Sequence, residues 1–414
     1  GLGGRHPPPS AARRELTEEL PPSVRRPSMP SSRLAPIAYL VGSVVNEPLT
    51  GGNRIVPLHN GDEAYPYMLE AIREAETSVT LETYIFDDDP TGREFVEALA
   101  QARDRGVAVR ILVDAAGHRY SWPPIGRRLS KHGLEHALFL QTRLPWKLPY
   151  LNLRTHRKIL VVDGRTGFLG GMNIRHAHRL EQAESDPIQD IQFAVEGPIV
   201  SRLQTVFAAD WWFSSGERLA GETWFPEVEE VGDVRCRVIP DGPDGDIDRI
   251  RWTLLGALST ARDSVRIATP YFLPDRELVT ALTTAALRGV DVEIFLPEKN
   301  NLTLVQWAST AELPHVLEHG SRVYYTKPPF DHSKMLVVDG EWSLVGSANW
   351  DPRSLRLNFE LAMEVYDEGL AESLEADLRR KREDATEITL EALESLPLWR
   401  RLRDGLARLA QPYL

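Results

Sequence analysis

Stretches with an apolar residue every three or four positions alternate along this chain with short, nearly continuous apolar runs. "REFVEALAQARDRGVAVRILVD" at 93–114 shows both in succession. It reads as an amphipathic helix, a turn at Gly106 and a buried strand. The same order returns in "RELVTALTTAALRGVDVEIFLP" at 276–297, with Gly289 at the turn, and eleven of the 22 positions are identical. Further apolar runs, "SVTLETYIF" at 78–86 and "SVRIATPYF" at 264–272, each follow a helical stretch. Strands alternating with helices predict an α/β fold with a helix-covered sheet, and the repetition predicts two similar domains. The polar, acidic "PEVEEVGD" at 226–233 marks the boundary, giving domains at 34–226 and 233–414. The repeat is far too long for a solenoid.

A second repeated phrase is more specific. "THRKILVVDG" at 155–164 returns as "DHSKMLVVDG" at 331–340. In each, a short β-branched run ends at Asp-Gly, which predicts a buried strand entering a hairpin turn. Residues two apart on a strand share a face, so His156 projects with Lys158, and His332 with Lys334. With a two-residue turn at Asp163–Gly164, His156 falls opposite residues 171–173. The same register sets His332 against 347–349. Each half thus offers His, Lys and Asn (Asn173 or Asn349) from neighbouring strands. A single His-x-Lys carries little weight. Here His156, Lys158, Asp163, Gly170 and Asn173 all recur 176 residues on, at His332, Lys334, Asp339, Gly346 and Asn349. That coincidence points to function rather than to two hydrogen-bonded structural histidines.

Composition changes this picture little. The chain has 414 residues, 42% hydrophobic and 26% charged, enough for two globular cores. The lone Cys236 excludes an internal disulfide framework. Residues 1–33 are rich in Pro, Ser and Arg and read as disordered, without a signal-peptide pattern. The run "IAYLVGSVV" at 37–45 is too short to span a bilayer. A net charge of −12 provides no global basic field, which disfavours nucleic acid as a partner.

The candidate chemistry follows from the residue types. Lysine cations and asparagine amides suit an anion, most naturally a phosphate. There is no P-loop, no zinc-spaced His/Cys cluster and no magnesium-type carboxylate cluster, so no cofactor or metal is expected. Two imidazoles at one phosphodiester suit displacement at phosphorus: one attacks while the other protonates the leaving alkoxide. The two rings must then hold different protonation states, so their surroundings must differ. Tyr84, Tyr271 and Phe272 fall at strand ends, where they line an entrance or fill the core.

The paired "HxKxxxxD" motifs, followed by "GGMN" and "GSAN", resemble the phospholipase D superfamily. Within it the chain is similar to bacterial phospholipase D-type cardiolipin synthases, on "YIFDDDPTGREF", "NLRTHRK", "DIQFAVEGP", "PYFLPD" and "GSANWDPRSLRLNFE". The resemblance implies two domains, each a mixed sheet flanked by helices, around one active site at a pseudo-twofold interface. It implies that His156 attacks and His332 serves as acid, then base. Lys158, Lys334, Asn173 and Asn349 would hold the phosphate. An acid downstream of each motif, Asp190 and Glu360, would orient that motif's histidine. Asp163 and Asp339 complete the motif; lying on turns, they read as supports rather than proton carriers. The implied reaction transfers a phosphatidyl group between two phosphatidylglycerol molecules through a phosphohistidine. A phospholipid hydrolase, a superfamily nuclease and a non-catalytic relative are the alternatives. The implied place is the cytoplasmic side of the bacterial cytoplasmic membrane, peripherally bound, and no protein partner is indicated.

"LPLWRRLRDGLARLA" at 396–410 puts Trp399, Leu402, Leu406 and Leu409 on one helical face, with Arg400, Arg401, Arg403 and Arg408 off it. Such a helix either lies in an anionic membrane surface or packs on its own domain.

Overall fold

The computed structural model describes residues 6–20, 33–119, 123–140, 153–183 and 185–409. Its centre is the antiparallel pair Thr50–His59 and Val234–Asp241. Outward from Thr50–His59 run Ile191–Glu196, Thr166–Gly170, Ile159–Val162, Ser78–Thr83, Ala108–Asp114 and His136–Phe139. Outward from Val234–Asp241 run Asn358–Tyr366, Trp342–Gly346, Met335–Val338, Ser264–Ala268, Asp291–Pro297 and Arg322–Thr326, with Thr386–Ile388 at that edge. Hairpin, crossover and outer strands come in the same order on both sides. The sequence repeat is therefore a spatial repeat about the central pair, in one mixed sheet. The three strands from Ser78–Thr83 outward are parallel, as are the three from Ser264–Ala268.

The repeated helices form where their sequence signals lie. Helix Pro90–Asp104 starts at Asp89, whose carboxylate accepts the Gly92 N–H at 2.8 Å. Helix Arg276–Leu287 starts at Asp275, which accepts from Leu278 N at 3.0 Å. These caps satisfy donors that the first turn leaves unpaired. The helices bury Phe95, Val96 and Leu99 on one side and Leu278, Leu282 and Ala285 on the other. Gly106 and Gly289, at φ 95° and 89°, turn each chain into the following strand.

In the motif hairpins Ile159 lies opposite Leu169 and Met335 opposite Val345. The turns hold three residues rather than two: Val162 pairs with Thr166, and Arg165 N returns to Val162 O at 3.0 Å. Asp163 and Gly164 both adopt positive φ, 52° and 61°, as the central pair of a type I′ turn does.

Three expectations change. The amino-terminal segment, expected to be disordered, forms helix Pro9–Glu18 over part of its length. Ala12 and Leu16 pack with Phe207, Ala208 and Trp211, and Arg13 pairs with Glu47 at 2.5 Å and Asp246 at 2.7 Å. An i, i+4 apolar pair and one arginine suffice because a packed partner surface is waiting. The rest of that segment, 1–5 and 21–32, lies outside the described residues. Second, helix Ala35–Val45 packs into the core of the carboxy-terminal half, through Ile37, Val41 and Val45 against Ile250 and Leu254. A domain boundary at residue 34 therefore groups it with the wrong half. Third, helix Leu398–Leu409 does pack on its own domain, but through Ala407 and Asp404 rather than its leucine stripe. Among the described residues no helix is long and apolar enough to cross a membrane.

Candidate active site

The strand Ile159–Val162 does not run back to His156. The chain first forms a separate two-residue strand, Arg154–Thr155, which pairs in parallel with Asn358–Phe359 of the other half. His156 N donates to Phe359 O at 2.8 Å. Residues 156–158 thus cross from one half's sheet to the other. The second copy repeats the device: Phe330–Asp331 pairs in parallel with Ile188–Gln189, and His332 N donates to Gln189 O at 2.8 Å. Two short exchanged pairings bring both histidines to the interface.

The exchange also decides which acid meets which ring. Glu360 approaches His156 Nδ1 at 3.0 Å, and Asp190 approaches His332 Nδ1 at 2.7 Å. This corrects the expected pairing, in which each acid served the motif of its own half. The reason is the strand pairing: Glu360 follows Phe359, the partner of Thr155, and Asp190 follows Gln189, the partner of Asp331. The other Nδ1 neighbour of His156, Ser347 O at 3.1 Å, is also an acceptor. Nδ1 therefore carries the proton in both rings, and Nε2 is left with its lone pair.

The two surroundings differ. Burial pulls His156 below its ordinary range, against the opposing pull of Glu360. Burial, together with the Lys334 and Lys158 cations, pulls His332 well below it. Burial would raise Glu360, but the His156 ring and Lys158 outweigh it and hold the carboxyl below its ordinary range. For Asp190 burial wins over Lys334 and His178, and its carboxyl is raised.

Lys158 Nζ donates to His156 O at 2.6 Å, and Lys334 Nζ donates to His332 O. Each lysine curls back under its own histidine, and both are nearly fully buried. Burial pulls Lys158 down to about 7 and Lys334 down to about 8. Asn173 accepts Ile85 N through Oδ1 at 3.1 Å, which leaves its NH2 to donate. Asn349 is turned the other way: its NH2 donates to Ser354 Oγ at 3.1 Å, and its Oδ1 is buried without a hydrogen-bond partner. Half a rotation of that amide exchanges the two roles.

The motif aspartates stand apart from the histidines, on the hairpin turns. Asp163 accepts Thr77 N at 2.8 Å and Ser78 N at 2.9 Å; Asp339 accepts Asp263 N at 2.7 Å and Ser264 N at 2.9 Å. Each fastens its hairpin turn to the start of the neighbouring strand. Neither lines the cavity.

That cavity, of about 410 Å³, opens over both histidines and both asparagines. Tyr84 meets His156 edge-on at 5.4 Å and Tyr271 meets His332 at 6.4 Å, so both line the site. Phe272 instead fills the core beside Trp350. Sequence reasoning missed Arg175 and Arg353 on the wall, and His178. His178 is buried, its Nδ1 lies 3.1 Å from Ile188 O, and burial pulls it down to about 3, so it stays neutral. Lys381 was also missed; it pairs with Asp331 at 2.5 Å beside His332.

The family model described as "Cardiolipin synthase, PLD-like domain" matches residues 68–211 and 254–382, one match in each half. The chain belongs to this PLD-like family. It is 33% identical over 407 residues to the cardiolipin synthase of Geobacillus kaustophilus (strain HTA426), covering 97% of this chain and 80% of that one. It is 33% identical over 361 residues to cardiolipin synthase 2 of Bacillus anthracis, covering 86% and 70%. Among solved structures, phosphatidylserine synthase from Haemophilus influenzae Rd KW20 superposes with a TM-score of 0.71 at 15% identity, over 91% of this chain and all of that one. That likeness is one of fold.

The PLD-like site has the parts for phosphoryl chemistry. Two imidazoles with free Nε2 lone pairs share one cavity, each held by a carboxylate. Two buried lysines lie behind the histidines, and Arg175 and Arg353 stand on the cavity wall.

Proposed function

We propose that the protein transfers the phosphatidyl group of one phosphatidylglycerol to a second, making cardiolipin and releasing glycerol. The observation that carries this is the crossed arrangement: each half's acid holds the other half's histidine over one cavity. His156 Nε2 attacks phosphorus and the P–O bond to glycerol breaks, the leaving oxygen taking a proton from His332. The glycerol hydroxyl of the second lipid then attacks the phosphohistidine, His332 takes its proton, and the P–N bond breaks. His156 is the better nucleophile because its Nδ1–H faces the more readily ionised carboxylate, which stabilises positive charge on the phosphorylated ring. His332 is the better acid because its imidazolium is the harder to maintain. The arriving phosphodiester anion favours its protonation. Lys158, Lys334, Asn173 and Asn349 hold the phosphate oxygens.

The lipid comes from an anionic membrane, to which the protein binds peripherally from the cytoplasmic side. Transfer requires that the lipid hydroxyl outcompete water at roughly 55 M. Well-held reactants reach effective molarities of about 10⁵ M or more, which suffices. Incubation with phosphatidylglycerol vesicles is therefore expected to give cardiolipin and glycerol as main products by mass spectrometry, with phosphatidic acid a minor leak. Phosphatidic acid as the dominant product at saturating substrate would make the protein a hydrolase. Untouched lipid and cleaved nucleic acid would make it a nuclease.

A pH prediction follows from the lysines. Both are charged below their shifted values and neutral above them, so charge leaves the phosphate site between about 7 and about 8 and not near 10.5. Affinity for glycerophosphoglycerol, a diester whose own charge is constant there, is expected to fall steadily from pH 7 to 9 by calorimetry. An affinity that is flat to pH 9 contradicts the assignment of these lysines.

A further inference from the structure

Of the fourteen exposed large hydrophobic side chains among the described residues, five lie on helix Leu398–Leu409. Leu398, Trp399, Leu402, Leu406 and Leu409 are 59–76% exposed. This stripe is not awaiting burial against its own domain, because the opposite face already does that work. Ala407 and Asp404 are buried, Arg403 lies over the Trp307 ring at 4.3 Å, and Arg408 pairs with Glu312. The helix is docked with its apolar side outward.

Resting on the reading of a lipid substrate, we propose that this stripe is a membrane-docking surface that seats the mouth of the cavity against an anionic bilayer. Charge selects the occupant. In a chain of net charge −12, this helix carries four arginines against one aspartate, and that Asp404 is buried and paired with Arg403 at 2.6 Å. Arg403 and Arg408 are turned to the packed face, and Arg400 and Arg401 are exposed beside the stripe. An apolar stripe rimmed by arginine suits lipid tails bordered by anionic headgroups. A second copy of the chain docked on the same stripe would bring arginine against arginine.

Placement gives the docking its purpose. Ala407 packs in one cluster with Leu273, Val305 and Ala308. Leu273 and Val305 are also walls of the cavity. So is Leu302, which is 48% exposed beside Leu304 at 52%. The helix therefore buttresses the wall of the site, and Leu302 adds an exposed apolar side chain at its mouth. A headgroup can reach the histidines while its acyl chains remain in the bilayer.

The test is Leu402→Glu/Leu406→Glu, two exposed positions whose change leaves the packed face intact. Binding to phosphatidylcholine vesicles containing phosphatidylglycerol is measured by co-sedimentation in a His156→Ala background, so that no lipid turns over. Binding is expected to weaken about tenfold or more in the double variant, and to weaken with added salt in the parent. With His156 intact, activity on vesicles is expected to fall in step. Activity on a short-chain phosphatidylglycerol below its micellar concentration is expected to stay unchanged. Unchanged vesicle binding overturns the proposal. Equal loss on vesicular and monomeric lipid also overturns it, by making the helix part of the catalytic fold. A lipid-free dimer that the double variant converts to monomer assigns the stripe to a second copy instead. If the variant loses vesicle binding while the parent turns over no lipid at all, docking stands and the proposed reaction falls.

Discussion

Replacing His156 by alanine is expected to abolish the covalent adduct and lower transfer by about 10⁴-fold or more, since the variant loses the ring that attacks phosphorus. Replacing His332 is expected to do something different. An acid that protonates the leaving oxygen contributes about 10²–10⁴-fold, but only where the leaving group needs a proton. A phosphatidyl donor with nitrophenolate as leaving group does not. The His332→Ala protein is therefore expected to release a burst of nitrophenolate and then stall, because the base for the second step is missing. The His156→Ala protein is expected to give no burst. A phosphohistidine survives alkaline quenching, so peptide mass spectrometry locates it. A burst from His156→Ala, with the adduct on His332, would reverse the two roles. The carboxylates sharpen the test: Glu360→Gln is expected to impair the attacking ring although Glu360 lies in the opposite half.

That crossing marks where the sequence stops being readable. The hairpins were legible because four adjacent apolar residues, Ile159–Val162, end at Asp-Gly, a local signal that fixes which residue opposes Leu169. The helix of 93–104 was legible from its period and from Gly106. The pairing of Thr155 with Phe359 has no such signal. It joins the two-residue strand Arg154–Thr155 to the end of a strand some 200 positions away, and two residues carry no period. Consequently Glu360 and Asp190 were found as acids but assigned to the wrong rings. His178 was missed for a related reason: it sits in an irregular stretch, and only tertiary packing brings it to the cavity. Helix Pro9–Glu18 was missed because its apolar stripe is weak by itself and is completed by Phe207 and Trp211 from a distant helix.

The residue between His156 and Lys158 should matter as much for stability as its neighbours do for chemistry. Arg157 projects to the opposite side and is 2% exposed. Its Nε donates to Glu360 O at 3.0 Å, its Nη2 donates to Asp241 O at 3.0 Å, and its Nη1 pairs with Asp210. Asp210 and Glu82 are both fully buried beside it. Burial pushes both carboxyls up, Glu82 well above its ordinary range with Asp210 adding to the effect. The guanidinium balances the negative charge that the two acids hold. Arg157→Met keeps much of the volume and removes the balance. Breaking a buried pair by deleting one partner costs about 3–5 kcal/mol, because the remaining charge is stranded in a site that water cannot reach. The urea midpoint is expected to fall accordingly. Adding Asp210→Asn to the variant removes the stranded charge and is expected to recover part of the loss, a coupling that simple loss of packing would not produce. Transfer activity is expected to fall as well, because the same guanidinium ties the backbone of Glu360 to the segment that carries His156. A variant within about 0.5 kcal/mol of the parent, where ordinary surface changes fall, would mean that the buried acids take up protons and stay neutral in place of pairing with Arg157.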